Sequence, residues 1–86
     1  MAEVLVRYFG AAKAASGVDQ EQLPAGRPLA ELLADLRGRS GPPGSPSLAK
    51  VLDRSSYLLN EIAVRDHATV LRSDDVLDIL PPFAGG

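Results

Sequence analysis

The side chains of this sequence offer little chemistry, and by elimination it falls to one end of the chain. There is no cysteine, which removes disulfides, thiolate metal sites and a thiol nucleophile together. His67 is the single histidine. It lies beside Asp66 in a polar stretch, where solvent exposure is expected, and one imidazole does not make a metal site. Asp74, Asp75 and Asp78 form an acidic cluster without the ligand count of a calcium loop. They read as a turn plus one exposed strand position. No serine stands with a histidine and an acid in a recognisable motif. The Gly-rich run from Gly38 to Ser47 lacks both a Gly-Lys-Ser/Thr ending and a preceding strand, so it does not read as a phosphate cradle. No metal site and no side-chain active site is expected. What remains is the carboxylate of Gly86.

A carboxylate is a poor acyl donor until it is activated, and adenylation by ATP is the usual route. The acyl-adenylate is then open to attack by a nucleophile. That chemistry needs an accessible, extended and unbranched terminus. Gly85 and Gly86 have no Cβ and can thread a narrow channel. Pro81 and Pro82 offer no N–H, so a strand cannot continue through them, and their fixed φ directs residues 81–86 away from the body as a tail. Six residues reach at most about 20 Å at full extension. Phe83 is an aromatic beyond the last strand, a frequent kind of interface anchor, and Ala84 keeps the approach to the diglycine small.

The elements that must present this tail follow from periodicity. Glu3–Phe9 reads as a strand, with Val4, Val6 and Tyr8 on one face and Leu5, Arg7 and Phe9 on the other. Both faces are mostly apolar, which predicts a central strand with Arg7 paired to an acid or reaching past an edge. Gly10–Ala15 suits a turn or short helix that Ser16-Gly17 stops. Val18–Leu23 reads as a polar edge strand. Leu29, Leu32, Leu33 and Leu36 mark one apolar helix face, entered at Pro28 without a capping side chain and ended at Gly38. Gly38–Ser47 reads as a mobile surface loop. Ser47 suits the cap of a short helix through Leu48, Val51 and Leu52. Ser56–Leu59 and Ile62–Val64 read as short strands joined at Asn60-Glu61, although a hairpin would favour glycine at Glu61. Val70 and Leu71 return to the core, and Val76–Leu80 reads as a mostly buried last strand.

Composition bounds the rest. Eighty-six residues with 45% hydrophobic content make one domain, 1–86, with one core. A net charge of −2 with mixed signs argues against nucleic acid as the main partner. No apolar run approaches a membrane span and no signal-peptide pattern is present, so no membrane association is expected and a cytoplasmic location is the default.

The run Asp74–Gly86 resembles the C-terminus of the ubiquitin-like sulfur carriers, most closely the small subunits of molybdopterin synthase: an acidic turn, a hydrophobic strand, Pro-Pro, an apolar residue, a small residue and Gly-Gly. Val4–Lys13 is similar to that family's first strand and following turn. Glu61 and Asp74 depart from it, standing where the family usually has glycine. The resemblance implies an α+β, β-grasp (ubiquitin-like) fold: a mixed sheet packed on one main helix, with the first and last strands parallel at its centre. It implies that a ubiquitin-activating-like adenylyltransferase charges Gly86, using ATP that this chain does not itself bind, and that a sulfurtransferase relay supplies the sulfur that leaves Gly86 as a C-terminal thiocarboxylate. The loaded tail would then enter the molybdopterin synthase large subunit, in a heterotetramer of two small and two large chains, for molybdenum cofactor biosynthesis. The small subunit would have no active site of its own. Phe9, Leu80 and Ala63 fall where the family uses hydrophobic contacts to the partner; core packing is the competing reading for Phe9 and Leu80. Two rival functions share the early chemistry: a carrier for thiamine, cysteine or tRNA thiolation, and a ubiquitin-like modifier or interaction module.

Overall fold

The computed structural model describes residues 2–82; Met1 and residues 83–86 lie outside the described part. Eight elements follow in order: β1 (Glu3–Tyr8), α1 (Gly10–Ser16), β2 (Gln20–Pro24), α2 (Leu29–Arg37), α3 (Leu48–Arg54), β3 (Ser56–Leu59), β4 (Ile62–Ala63) and β5 (Val76–Leu80). The strands form one sheet in the order β2-β1-β5-β3-β4. β1 and β5 are parallel, with Leu5 beside Val76 and Tyr8 beside Ile79; the other pairings are antiparallel. A parallel pair needs a long crossover, and nearly all of the chain lies between these two strands.

One face of the sheet carries Val4, Val6, Tyr8, Leu23, Tyr57, Leu77 and Ile79, all buried. They join Leu29, Leu32, Leu33 and Leu36 of α2 in a single core. The 3.6-residue spacing of those leucines gives α2 its one apolar face. The two shorter helices add to the same core through Ala12 and Ala15 of α1 and Leu48 and Leu52 of α3. α1 ends at Gly17, whose φ of 83° is left-handed. Ser47 caps α3, its hydroxyl accepting from the Lys50 N–H.

No side chain caps α2. Pro28 occupies its N-cap position, and distant main chain supplies the acceptors: the Leu29 N–H donates to the Thr69 carbonyl and the Ala30 N–H to that of His67. The polar segment 66–69 is thus the cap of a helix nearly forty residues earlier in the chain (positions 29–37). Leu71 enters the core as expected, but Val70 does not; it is 51% exposed, because pairing with Pro28 turns its side chain outward.

The loop between α2 and α3 is tied down, contrary to its loose, Gly-rich sequence. A Cβ placed on Gly41 would come within 2.0 Å of the Ala15 carbonyl oxygen, so only glycine fits there against the end of α1. Gly41→Ala must push the loop off α1, and we expect a loss of about 1–3 kcal/mol, read as a lower midpoint in urea unfolding. Arg39, at the start of the same loop, donates through Nη1 to both oxygens of Glu21 on β2, at 2.7 Å each. The Tyr8 hydroxyl donates to the same carboxylate at 2.6 Å.

Burial by itself would raise the Glu21 pKa, but these two donors outweigh it and hold the group below its ordinary value of 4.5. A depressed carboxylate stabilises the fold above its unfolded pKa, and that contribution is lost as pH falls through the folded value. Stability should therefore decline on acidification below about pH 4.5. Glu21→Gln should lower stability at neutral pH by about 1 kcal/mol or less and flatten that acid limb in thermal melts across pH 2–7, roughly the range in which carboxylates titrate. Tyr8 acts at the other end of the scale. Burial, then its bond to Glu21, raises the phenol pKa, so its contribution is present at neutrality and is lost as pH climbs past the ordinary value of 10.0.

Candidate functional site

The face of the sheet turned away from the helices is where the residues expected to bind a partner meet. Side chains alternate along a strand, so the buried set leaves Glu3, Leu5 and Arg7 of β1, Gln20 and Gln22 of β2, Val76, Asp78 and Leu80 of β5, Ser56 and Leu58 of β3 and Ala63 of β4 on the other face. The register aligns Arg7, Asp78, Leu58 and Ala63 in one row across four strands. Phe9 follows β1 with extended backbone (φ −121°, ψ 152°) and continues its alternation. Its N–H donates to the Ile79 carbonyl, which carries the parallel ladder one residue further and sets Phe9 beside Leu80.

Phe9 is therefore not the last residue of a buried strand. It caps α1 and is 40% exposed, which overturns the core-packing alternative for it. Leu80 is half-buried, Pro81 likewise, and Pro82 and Ala63 are exposed. Parallel pairing places the ends of β1 and β5 at the same edge of the sheet. The chain thus leaves Leu80 for Pro81 beside the exposed ring of Phe9. Phe83, Ala84, Gly85 and Gly86, the remaining residues expected to act, lie outside the described residues.

The row carries an ion pair, and sequence reasoning misjudged it. Asp78 is not an exposed strand position but is 6% exposed. Arg7 meets it with a two-pronged contact, Nε to Oδ1 at 2.6 Å and Nη2 to Oδ2 at 2.8 Å. These bonds, reinforced by the carboxylate charge, raise the Arg7 pKa above its ordinary value. The guanidinium also lies 5.9 Å from the centre of the Phe9 ring, within reach of a cation–π contact. The signal was available in principle: an arginine and an aspartate, each alone on an apolar strand, in strands expected to be parallel neighbours.

The hairpin beside this face is held by its turn. Asn60 and Glu61 both adopt left-handed φ, 51° and 71°, as a two-residue type I′ turn requires, even though Glu61 replaces the favoured glycine. Asn60 compensates by accepting from the Val76 N–H and donating to Asp75, each through its side-chain amide. Asp74 is also left-handed, at φ 69°, where the chain turns into β5. His67 is exposed and stands edge-on to the Tyr57 ring at 5.8 Å. Among the described residues no three His, Asp or Glu side chains converge to hold a metal ion, and no helix is long and apolar enough to cross a membrane.

The ThiS family profile matches residues 6–86, a span that takes in the second half of β1, every later element and the diglycine. No curated protein matches the chain. Among solved structures, the chain is similar to one from the protein–protein complex of subunits 1 and 2 of molybdopterin-converting factor from Helicobacter pylori 26695. The identity is 30%, the TM-score 0.72, and the match covers 98% of this chain and 99% of that one. It is also similar to SAMP1 from Haloferax volcanii, at 19% identity and TM-score 0.73, over 98% and 99% of the two chains; this second likeness is one of fold. The five-stranded mixed sheet with its helices is the ubiquitin-like β-grasp fold.

Proposed function

Because the chain belongs to the ThiS family, we propose that it is a sulfur carrier that works as the small subunit of a molybdopterin synthase. Gly86 is its reactive residue. The Gly86 carboxylate attacks ATP on an activating adenylyltransferase and pyrophosphate leaves; the outer sulfur of a persulfide on a sulfurtransferase relay then displaces AMP to give an acyl disulfide, and a second thiol attacks the relay sulfur, releasing the thiocarboxylate and leaving a disulfide. The large subunit then draws the loaded tail into its own active site, where the sulfur passes to a pterin precursor. Phe9, Leu80 and Ala63 dock on that subunit, and Pro81 and Pro82 start the tail outward.

The observation that carries the molybdopterin reading is the 30% identity, over nearly the full length of both chains, to a protein solved in complex with its second subunit. The geometry is consistent with it. β5 delivers the tail at the edge of the sheet where Phe9 and Leu80 meet, so one partner can hold both while the diglycine reaches roughly 20 Å further.

The test is an intact-mass measurement. The chain is incubated with ATP, the adenylyltransferase and a sulfide source, and its C-terminal fragment is then isolated. Exchange of one oxygen for sulfur on that fragment is expected, followed by return of the carboxylate when the large subunit and the pterin precursor are added. An unmodified fragment, from an enzyme competent on another carrier, would overturn the carrier reading. Loading that discharges only to a thiazole synthase or another acceptor would overturn the molybdopterin assignment alone.

A further inference from the structure

The docking face is polar along β2, where Gln20 and Gln22 stand opposite Arg7 and Leu5, and holds one ion pair among the apolar side chains of β1 and β5; stability does not explain that pair. Two well-packed apolar residues in place of a buried ion pair are often as stable or more so. Asp78 is held on both oxygens and nearly out of water, whereas the Arg7 side chain keeps 38% of its exposure. Of the guanidinium nitrogens, Nε and Nη2 are committed to Asp78. Nη1 donates to no described residue, and it carries two N–H groups. Leu5, Phe9, Leu58, Val76 and Leu80 lie around it on the same face, with Gln20 of β2 opposite it on the remaining side. Glu61 stands across a shallow depression that Asn60 and Val76 complete. The single positive charge of Arg7 is thus already matched by Asp78, with a second carboxylate close by. A partner carboxylate would be repelled by the net negative charge of the three groups; a neutral oxygen would not.

We propose that Arg7, held rigid by Asp78, is a specificity-determining contact of this face, and that its Nη1 donates to a neutral oxygen of the large subunit, a main-chain carbonyl or a side-chain amide. The inference rests on the docking reading above. The geometry suits it in three ways. Arginine is enriched among the residues that dominate interface centres. The fork is already fixed by two bonds, so binding orders little that was free. The apolar side chains beside it on β1 and β5 exclude water there once a partner is seated. A wrong partner offering only carbon there would bury the Nη1 N–H groups unpaired, and one offering a carboxylate would be repelled; rejection of both is what gives selectivity.

The experiment measures binding of the full chain to the purified molybdopterin synthase large subunit, by calorimetry at low and high salt. Arg7→Leu/Asp78→Leu removes the pair without leaving a buried charge unpaired. Arg7→Lys keeps a cation on Asp78 but loses the fork that reaches both ways. Each should weaken binding by about ten- to a hundred-fold, the cost of leaving a buried acceptor unsatisfied, and by nearly the same factor at both salt concentrations. Arg7→Lys keeps the test valid should the double variant fail to fold. Unchanged or tighter binding of a folded variant would overturn the proposal. So would a loss that collapses in high salt, because that marks a partner carboxylate. Phe9→Ala separates the two levels: if it weakens binding while both Arg7 variants do not, the docking reading stands and the Arg7 contact falls. If the unaltered chain does not bind the large subunit, both fall.

Discussion

Deleting Gly86 is expected to abolish thiocarboxylate formation and sulfur transfer while leaving the thermal midpoint within roughly 2 °C of the full chain, a shift well under 1 kcal/mol. The two effects separate because the fold ends before the tail begins. The last ladder position of β5 is Leu80, opposite Ser56, and Pro81 and Pro82 can donate nothing beyond it. The shortened chain still ends in a carboxylate, on Gly85, so the group itself is not lost. What changes is its reach. One residue removes about 3.5 Å, enough to withdraw the acyl carbon from both the activating and the accepting site, since displacements near 1 Å already cost rate heavily. Melting curves and mass spectra on the same preparation check both halves. Sulfur transfer by the shortened chain at the rate of the full one would remove Gly86 from the reaction, whatever the melting curve showed.

The sequence announced those features whose causes are local. The leucine spacing of α2, the Ser47 cap, the turn at Asn60-Glu61 and the apolar character of β1 and β5 each depend on a few neighbouring residues, and each is present as expected. What escaped reading depends on partners far along the chain. Asp78 looks exposed until its neighbour 71 positions away, Arg7, is known to be beside it. α2 looks uncapped until segment 66–69 is brought to its N-terminus. Gly38–Ser47 has the composition of a loose loop, and nothing local reveals that Gly41 must press against Ala15. The candidate site falls between these cases. Phe9, Leu80 and Ala63 could be named one at a time, but only the register shows them on one face. Strand parity then decides what composition left open, since Phe9 shares its parity with Arg7 and not with Tyr8.

Leu77→Ala should produce the opposite dissociation from Gly86 deletion, although the two positions lie on the same run of chain. Leu77 is fully buried, between Val6 of β1 and Leu59 of β3 in the sheet and beneath the helices. Truncation removes apolar contacts and leaves a cavity, at about 2–5 kcal/mol for a leucine in a core of this kind. Eighty-six residues at roughly 0.05–0.15 kcal/mol each give a total stability of about 4–13 kcal/mol. The loss is therefore a large share of the whole, and a fall of roughly 10–30 °C in the thermal midpoint is expected. Function should follow stability and not chemistry. Below its new midpoint the variant still presents Gly86 and should form thiocarboxylate, because no part of the tail has changed. Its binding to a partner should weaken only as β5 loosens and Phe9 and Leu80 lose their common platform. Sulfur loading measured from 10 °C upward, alongside circular dichroism, should therefore trace the unfolding curve. A variant that stays folded but cannot be loaded would show that the core of β5 takes part in recognition by the activating enzyme, and that the tail alone is not what that enzyme reads.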